Sequence, residues 1–291
     1  MQNYKIKIRN ACLNDSQSIF DWRNDEQSRR MFFNTDAPSY EEHHKWLTDS
    51  LLNPKQELYL GEMGDKRIGV CRFDIDSSTS KAEVSINMNP EMRGKNLGKQ
   101  FLSSAIDEYL TTRDCELTAT IKKKNSASRK IFEFVGFEHV REDDQVIYLQ
   151  KPIEQVAFKK VQESDADVLI ELLQKRVFSI SHQALPSTSE HKKFVRSSPY
   201  RYWGLVLQSG YPVGTFYLQN DNSIGLNLSE PHKRLVHKII SYIHKNFKPE
   251  TEVKSKIPPY FYVNISFSNE ALREVMMELG YLPIQTSFKV S

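Results

Sequence analysis

Hydrophobic positions along the chain follow two spacings, one typical of strands and one typical of helices. Residues 82–88 alternate apolar and polar side chains, which predicts a half-buried strand. Residues 97–110 carry apolar side chains at helical spacing, which predicts a helix with one buried face. The apolar positions of that helix are Leu97, Phe101, Leu102, Ala105, Ile106, Tyr109 and Leu110. The pattern predicts an α/β protein.

A similar succession of elements occurs twice. Residues 125–137 read NSASRKIFEFVGF, and 144 residues further on residues 269–281 read NEALREVMMELGY. Each segment follows an apolar run, begins with Asn at a helix N-cap position and ends at Gly followed by an aromatic residue. Three further pairs keep the same order, namely 42–46 with 190–194, 68–70 with 213–215, and 85–88 with 225–228. A repeat of this kind predicts two copies of one fold.

We therefore expect two tandem α/β domains, residues 1–151 and residues 152–291. Each is expected to be a mixed, mostly antiparallel central sheet flanked by helices. Residues 146–149 are expected to form the strand that closes the first domain, and residues 156–160 the strand that opens the second.

Composition narrows the class of protein. Charged residues make up 26% and hydrophobic residues 39%, which is ordinary for a globular protein, and no apolar run approaches the roughly 18 residues of a membrane helix. The net charge of +3 is small and spread along the chain, so binding to nucleic acid is not expected. Three scattered cysteines without metal-ligand spacing predict no metal site and a reducing, cytoplasmic location. They are Cys12, Cys71 and Cys115.

A glycine-containing turn, Arg93–Lys99, joins the predicted strand to the predicted helix. Such a turn directs free backbone N–H groups and the positive end of the helix dipole at one point, which suits a diphosphate. Arg93, Lys95 and Lys99 add positive charge. The run Lys122–Lys124 is either a solvated strand end or a further attraction for phosphates.

The turn, followed from Asn125 by a strand-to-helix segment N-x-x-S that ends in Gly-Phe, resembles the two halves of the acetyl-CoA site of GNAT N-acetyltransferases. The resemblance implies that the turn holds the pyrophosphate of coenzyme A, and that the preceding strand separates from its neighbour to receive the acetyl and pantetheine end. The implied pyrophosphate residues are Arg93, Gly94, Lys95, Asn96, Leu97, Gly98 and Lys99. The implied contacts of the acetyl and pantetheine arm are Ile86, Asn87, Met88, Asn125 and Ser128.

Two positions depart from the GNAT pattern. Asn96 stands where the family usually has Gly, although Asn tolerates left-handed backbone angles better than most residues. Phe132 stands where many members have a Tyr that protonates the leaving thiolate. Water, another group or direct departure of the thiolate would have to serve instead.

Glu83 is the predicted general base, because it lies within the alternating strand close to the expected separation. A Glu in the corresponding strand of the family can accept the proton of the amine, directly or through water. The alternative is an ordinary strand residue that faces solvent.

Residues 4–150 further resemble the nucleotide-sugar N-acetyltransferases of pseudaminic-acid biosynthesis, and ribosomal-protein N-acetyltransferases share some of the pattern. The implied acceptor is the amine of a UDP-linked amino sugar. Aromatic faces, cations and amide donors would bind it. The implied substrate contacts are Trp22, Arg23, Asn24, His43 and Trp46. The alternative is that the two Trp and His43 are core residues of their helices.

The second half has no glycine between Ser229 and His237, so the phosphate-binding turn is missing there and the second domain is expected to be degenerate. Two other functions stay open. The acceptor could be a protein or peptide amino terminus, which would favour an open acidic groove, or the chain could bind coenzyme A without turnover. The sequence does not set the oligomeric state.

Overall fold

The computed structural model describes residues 6–175 and 187–286. It divides into two compact units, Met1–Ile153 and Glu154–Ser291, so the division falls two residues after the predicted boundary. Within the described residues, no helix is both long enough and apolar enough to cross a bilayer.

The first unit is built on a seven-stranded sheet, counted over its described residues, with the order β1-β2-β3-β4-β5-β7-β6. Its strands are β1 (Lys7–Asn10), β2 (Gln56–Met63), β3 (Lys66–Asp76), β4 (Lys81–Met88), β5 (Glu116–Lys122), β6 (Glu138–Glu142) and β7 (Val146–Lys151). Its α-helices are α1 (Ser16–Asn24), α2 (Glu26–Met31), α3 (Tyr40–Leu52), α4 (Leu97–Leu110) and α5 (Ser126–Phe134). Neighbouring strands run antiparallel except β4 and β5, which are parallel. The predicted mixed, mostly antiparallel sheet is present, and β6 is an additional strand before the predicted closing one.

Helices cover this sheet on both faces. Helix α4 buries Phe101, Leu102 and Ala105 completely against the main core, as its helical apolar spacing predicts. On the opposite face, α1 and α3 bury Ile19 and Leu47 against β2 and β3. Each of the larger side chains among these, Phe, Leu or Ile, contributes about 1.5–3 kcal/mol when fully buried. The two layers hold the sheet between them, and β4 and β5 lie towards its centre.

The second unit has a five-stranded sheet among its described residues, with the order β12-β11-β10-β9-β8. Its strands are β8 (Val156–Lys160), β9 (Tyr202–Gln208), β10 (Tyr211–Leu218), β11 (Ser223–Leu228) and β12 (Tyr262–Asn264). Its α-helices are α6 (Ala166–Gln174), α7 (Thr188–Arg196), α8 (Lys233–Asn246) and α9 (Glu270–Glu278). This is the order and direction of β1 to β5 in the first unit, including one parallel pair, β11 with β12.

Local details repeat between the units as well. The helices α3 and α7 both begin at a capping box, formed by Ser39 with Glu42 and by Ser187 with Glu190. Gly69 and Gly214 also correspond. A Cβ on Gly69 would lie 2.7 Å from the carbonyl oxygen of Asn87, and one on Gly214 would lie 2.3 Å from that of Asn227. In both units a close approach between two strands therefore requires glycine.

Candidate active site

The two parallel strands at the centre of the first sheet separate along their length. The pairing of β4 with β5 joins Lys81 to Glu116, Ala82 to Leu117 and Glu83 to Thr118, and ends there, although β4 continues to Met88 and β5 to Lys122. The separation leaves backbone N–H and C=O groups of β4 beyond Glu83 without a β5 partner. This is the gap that the resemblance to GNAT enzymes implies for the acetyl and pantetheine arm.

The turn after β4 has the backbone that an anion site needs. Gly94 has φ +71° and Asn96 has φ +61°, so the chain turns through the left-handed region twice before α4 begins at Leu97. Asn tolerates that region better than other non-glycine residues, which explains how the turn keeps its form without the usual Gly. The side chain of Asn96, the N-cap residue, makes no capping hydrogen bond to the described residues of α4. The first N–H groups of α4 thus remain available to a phosphate.

Side chains of the turn have different roles from those the sequence suggests. A Cβ on Gly98 would lie 2.7 Å from Cδ1 of Ile131, so Gly98 allows α4 and α5 to pack closely. Leu97 packs against the main core. The ammonium of Lys99 lies 4.3 Å from the ring centre of Phe134, and Lys95 is exposed. Lys95 is therefore the predicted phosphate contact with the freest side chain.

Arg93 is the clearest departure from the predicted pyrophosphate set. Its guanidinium donates to Oδ2 of Asp25 at 2.7 Å and to Oγ of Ser28 at 2.6 Å. Burial alone would raise the pKa of Asp25, but hydrogen bonds from the N–H of Ser28 and from Arg93 hold that pKa below its ordinary value. The Arg93 side chain is thus engaged with an ionised carboxylate at the start of α2 and does not face the turn's N–H groups.

The predicted residues of the acetyl and pantetheine arm lie on both sides of the gap. Ile86 and Met88 turn their side chains to the main core, which leaves their backbone for a ligand. Asn87 accepts a hydrogen bond from Oγ of Ser28 at 3.0 Å. Asn125 uses its side-chain oxygen to cap α5 through the N–H of Ser128 at 3.1 Å. Ile86, Asn87 and Met88 therefore lie on β4, and Asn125 and Ser128 lie just after β5, with the side chain of Asn125 already occupied.

Glu83 stands where β4 and β5 separate. It is the last β4 residue paired with β5, it is exposed, and its side chain lies on the sheet face opposite to the buried Ala82 and Val84. Within residues 6–175 and 187–286, its carboxylate has no hydrogen bond or ion pair to another side chain. An unpaired carboxylate at this point is well placed to meet an ammonium ion.

Glu83 borders an open groove of about 640 Å³. Its lining residues are Asn53, Lys55, Gln56, Asp74, Ile75, Asp76, Thr79, Lys81, Glu83 and Thr118. Three carboxylates face two lysines there. Lys81 is already paired with Glu116 at 2.5 Å and Asp74 with Arg72 at 2.9 Å, which leaves Asp76 and Glu83 opposite Lys55. Hydrogen bonds from Ser78 and Thr79 lower the pKa of Asp76 to about 2, so Asp76 is ionised at neutral pH. The groove therefore favours a positively charged ligand.

Two of the predicted substrate contacts are core residues. Trp22 is 5% exposed and packs with Ile19 and Leu47. His43 is 3% exposed and lies between the rings of Phe20 and Trp46, and burial lowers its pKa. Both side chains lie on the inward face of their helices, which does not favour a substrate contact, and their substrate role stays a prediction.

Arg23 and Asn24 are engaged with their own loop. Arg23 donates to the carbonyl of Asn34 at 2.7 Å and lies over the ring of Phe32, and Asn24 donates to the carbonyl of Pro38 at 3.2 Å. They brace the segment between α2 and α3.

Trp46, a member of the predicted substrate set, lines a second groove. This second groove, of about 460 Å³, shares Asn53 and Gln56 with the one beside Glu83. Trp46 is 37% exposed there.

Asp25 and Ser28 lie beside the gap although the sequence pattern assigned neither a role, and Lys122 belongs to the lysine run for which the sequence left two interpretations open. Lys122 at the end of β5 donates to the carbonyls of Arg30 and Phe32, and burial lowers its pKa. Its neighbour Lys123 pairs with Glu142. The run of three lysines is therefore neither uniformly solvated nor a single phosphate-binding patch. A capping Asp before Glu26 was the available sequence signal for the start of α2.

Phe132 occupies no open position. It is 2% exposed and makes an edge-to-face contact with Phe137 at 5.0 Å between ring centres. A phenol acid at this position would need space and a partner that this packing lacks.

The corresponding site in the second unit is closed. Gly69 pairs with Met88 and Gly214 pairs with Leu228, so Met88 and Leu228 correspond. Five residues before them, the first unit has Glu83 and the second unit has Ser223. The parallel pairing of β11 with β12 continues to Gly225, so these strands separate two residues later than β4 and β5 do. His232 caps α8 through Nδ1, which accepts from the N–H of Leu235 at 3.4 Å. The carboxylate is missing, the gap is shorter, and the helix N-terminus is already capped.

One acetyl-CoA per chain is the expected binding stoichiometry, because only the first unit combines the gap with an uncapped helix among the described residues. Isothermal titration calorimetry of the full chain measures this number directly. Two equivalents bound with similar affinity would contradict the assignment of a closed second site.

Comparisons with known proteins agree with the fold. Residues 5–138 match the acetyltransferase (GNAT) domain family. Among solved structures, similar ones include a spermidine N-acetyltransferase from Vibrio cholerae in complex with CoA and spermine, with 17% identity, a TM-score of 0.46, and coverage of 51% of this chain and 95% of that one. No curated protein sequence matches significantly.

Two other similar structures are a ribosomal-protein alpha-N-acetyltransferase in complex with coenzyme A and a putative acetyltransferase from Salmonella typhimurium with acetyl-CoA. The first shares 15% sequence identity with this chain at a TM-score of 0.47, and the second shares 20% identity at a TM-score of 0.43. Each match covers 51% of this chain and 94% of the matched chain.

The separated strands, the turn and the uncapped helix all lie within the residues that match the GNAT family. Residues 5–138 match an acetyltransferase (GNAT) domain, and the first unit is an acetyl-CoA-dependent N-acetyltransferase domain. Among the residues that the structure describes there is no group of three His, Cys, Asp or Glu side chains arranged to hold a metal ion.

Proposed function

We propose that the first unit transfers the acetyl group of acetyl-CoA to a positively charged amine that lies in the groove beside Glu83. The observation that carries this proposal is the unpaired carboxylate of Glu83 at the point where β4 and β5 separate. The backbone of Ile86, Asn87 and Met88 would hold the acetyl and pantetheine arm, and the turn with Lys95 would hold the pyrophosphate. Acetyl-CoA supplies the acyl group as a thioester.

The chain's own residues have two tasks in this reaction. Glu83 accepts a proton from the ammonium, directly or through one water, because a protonated amine cannot attack a carbonyl. The neutral nitrogen then bonds to the acetyl carbon as the carbon–sulfur bond breaks, and the sulfur leaves with the electron pair. The nitrogen releases its second proton to water or to the departing thiolate, which gives the neutral amide and free coenzyme A. A thiol pKa of about 8.5 makes this departure feasible without a general acid, which is consistent with the buried Phe132.

The groove's charge selects the acceptor class. Asp74, Asp76 and Glu83 line the groove beside the gap, and Glu42 and Asp49 line the adjoining groove, against the three lysines Lys45, Lys55 and Lys81. This balance attracts a cation and repels a diphosphate. Both grooves are open, so an extended chain can enter them. A peptide amino terminus is therefore our first candidate.

The UDP-linked amino sugar is the second candidate, on one observation. Trp46 lines the adjoining groove beside Lys45, where an aromatic base could stack and a phosphate could meet a cation. The other predicted sugar contacts are buried or engaged with their own loop.

A thiol-release assay with acetyl-CoA separates the candidates. The panel contains basic peptides with free amino termini, the same peptides with blocked amino termini, and UDP-amino sugars. We expect turnover of free peptides only, with kcat/KM lowered several-fold by Asp76→Asn and unchanged by the control Asp65→Asn in the exposed turn between β2 and β3.

Other results would overturn the choice of acceptor or the activity itself. Turnover confined to a UDP-amino sugar and lost in Trp46→Ala would favour the second candidate. Binding of acetyl-CoA without turnover of any acceptor would favour a silent coenzyme A binding module.

We further propose that residues 152–291 are a degenerate GNAT-like domain. The repeated strand order, the shared capping boxes and the paired glycines support this origin. The loss of the carboxylate and of the turn would leave it without catalysis of its own.

A further inference from the structure

The short helix α2 (Glu26–Met31) is connected to both of the strands that separate in the first unit. Its N-terminal end contacts β4 and the turn that follows β4, and its C-terminal end contacts β5. Apolar packing does not explain this double attachment, since the buried side chain of α2 is the polar Ser28. The helix is therefore held across the gap by polar contacts.

The attachment to β4 is a small polar network. Arg93 donates to Asp25 at 2.7 Å and to Ser28 at 2.6 Å, and Ser28 donates to Asn87 at 3.0 Å. Asp25 also caps α2 by accepting from the N–H of Ser28 at 2.9 Å. Because the Arg93–Asp25 pair is only about a quarter exposed, solvent screens it less than a surface pair. Asn87 belongs to the segment of β4 that lies beyond its pairing with β5.

The attachment to β5 is made by one side chain. The ammonium of Lys122 donates to the carbonyls of Arg30 and Phe32, at the C-terminal end of α2. A cation at this end also complements the helix dipole. The two residues of the hydrogen bond between Lys122 and Phe32 are about ninety positions apart in the sequence. The next lysine, Lys123, instead forms an ion pair with Glu142 on β6.

We propose that Arg93 and Lys122 are positioning residues that fix α2 across the gap between β4 and β5 and thereby set the acceptor side of the site. The inference rests on the proposed acetyl transfer, and it gives Arg93 a task other than binding pyrophosphate. Ser28 reaches Asn87 beside the predicted acetyl position, so a shift of α2 displaces the wall against which the amine is aligned. Misplacement by about 1 Å can lower a rate by about a hundredfold.

Two substitutions separate this role from cofactor binding and from folding. Lys122→Met removes the bonds to α2 and keeps the aliphatic stem, and Lys123→Met is its matched control with the same change in charge. Asp25→Asn keeps the helix cap, since Asn is an equally good N-cap residue, but removes the ion pair with Arg93.

The expected result concerns both kinetics and exchange. Lys122→Met and Asp25→Asn each lower kcat/KM for the acceptor about tenfold or more, while the Kd for acetyl-CoA stays within about threefold. Hydrogen exchange of the amides of residues 26–31 rises in both variants and stays unchanged in Lys123→Met. The exchange measurement needs no activity, so it decides the anchoring of α2 even if no acceptor is turned over and the proposed function fails.

Three results would overturn the proposal. Equal effects of Lys122→Met and Lys123→Met would show that Lys122 acts only through its positive charge and not through its bonds to α2. A loss confined to acetyl-CoA affinity would make Arg93 and Lys122 cofactor contacts. Unchanged exchange at residues 26–31 would show that the bonds do not hold α2.

Discussion

Glu83→Gln is expected to lower kcat by about 10²–10⁴-fold, the range by which a positioned general base accelerates a reaction. Gln has nearly the same shape but cannot accept the proton of an ammonium ion at neutral pH. Since Glu83 is exposed and without a side-chain partner in the described residues, the change removes no stabilising contact. We therefore expect unchanged melting temperature and unchanged acetyl-CoA affinity, measured beside steady-state kinetics.

The pH dependence of this deficit identifies the acceptor amine. A base is needed only while the amine is protonated, so the deficit of Glu83→Gln should shrink as the pH rises through the amine's pKa. That pKa is about 8 for a peptide amino terminus and about 10 for a lysine-type amine. The control is Glu138→Gln, an exposed glutamate on β6 away from the gap. Full activity of Glu83→Gln at neutral pH would contradict the role of Glu83 as base.

Gly94→Val is expected to weaken acetyl-CoA binding by about tenfold to a hundredfold. Gly94 has φ +71°, a conformation that a β-branched residue adopts only with strain, so the turn must move. The N–H groups at the start of α4 then no longer converge on the pyrophosphate, and each lost hydrogen bond to a charged group costs about 1.5–3 kcal/mol. Calorimetric titration with acetyl-CoA gives the change in Kd.

Gly64→Val is the matched control for this loss. Gly64 also has positive φ, +59°, and neither glycine has a described atom within 4 Å of where its Cβ would lie. Both variants should lose about 1–3 kcal/mol of stability through backbone strain. Gly64 lies in the turn between β2 and β3, so its variant should bind acetyl-CoA normally. Equal losses of affinity in both variants would mean that the turn after β4 has no special role in binding.

Local patterns in the sequence predicted the features that depend on local chemistry. Helix α4, Leu97–Leu110, contains the predicted apolar face, because helical spacing and a glycine-containing turn are visible in residues that are neighbours in the sequence. The separation of β4 and β5 followed from the resemblance to GNAT enzymes, and the backbone pairing agrees with it.

Contacts between distant segments of the chain could not be predicted in the same way. Arg93 is 68 residues from Asp25, and nothing near either residue indicates that they meet. The positive charge of Arg93 in a phosphate-binding turn suggests a phosphate ligand, whereas in the folded protein Arg93 pairs with the carboxylate of Asp25.

The inward position of the aromatic residues of α1 and α3 has a related reason. Trp22 and His43 lie on helices whose apolar spacing is the same whether the face meets the core or a substrate. Only the packing with Leu47 and Phe20 distinguishes the two cases. Trp46, on the neighbouring face of α3, remains exposed and lines a groove.

The most direct test of the account is mass spectrometry of an acceptor peptide after incubation with acetyl-CoA and the full chain. Acetylation at the amino terminus by the wild-type chain, strongly reduced with Glu83→Gln, is the predicted result. An unmodified peptide in the presence of bound acetyl-CoA, or equal acetylation by both chains, would contradict the claim that Glu83 prepares an amine for acetyl transfer at the gap between β4 and β5.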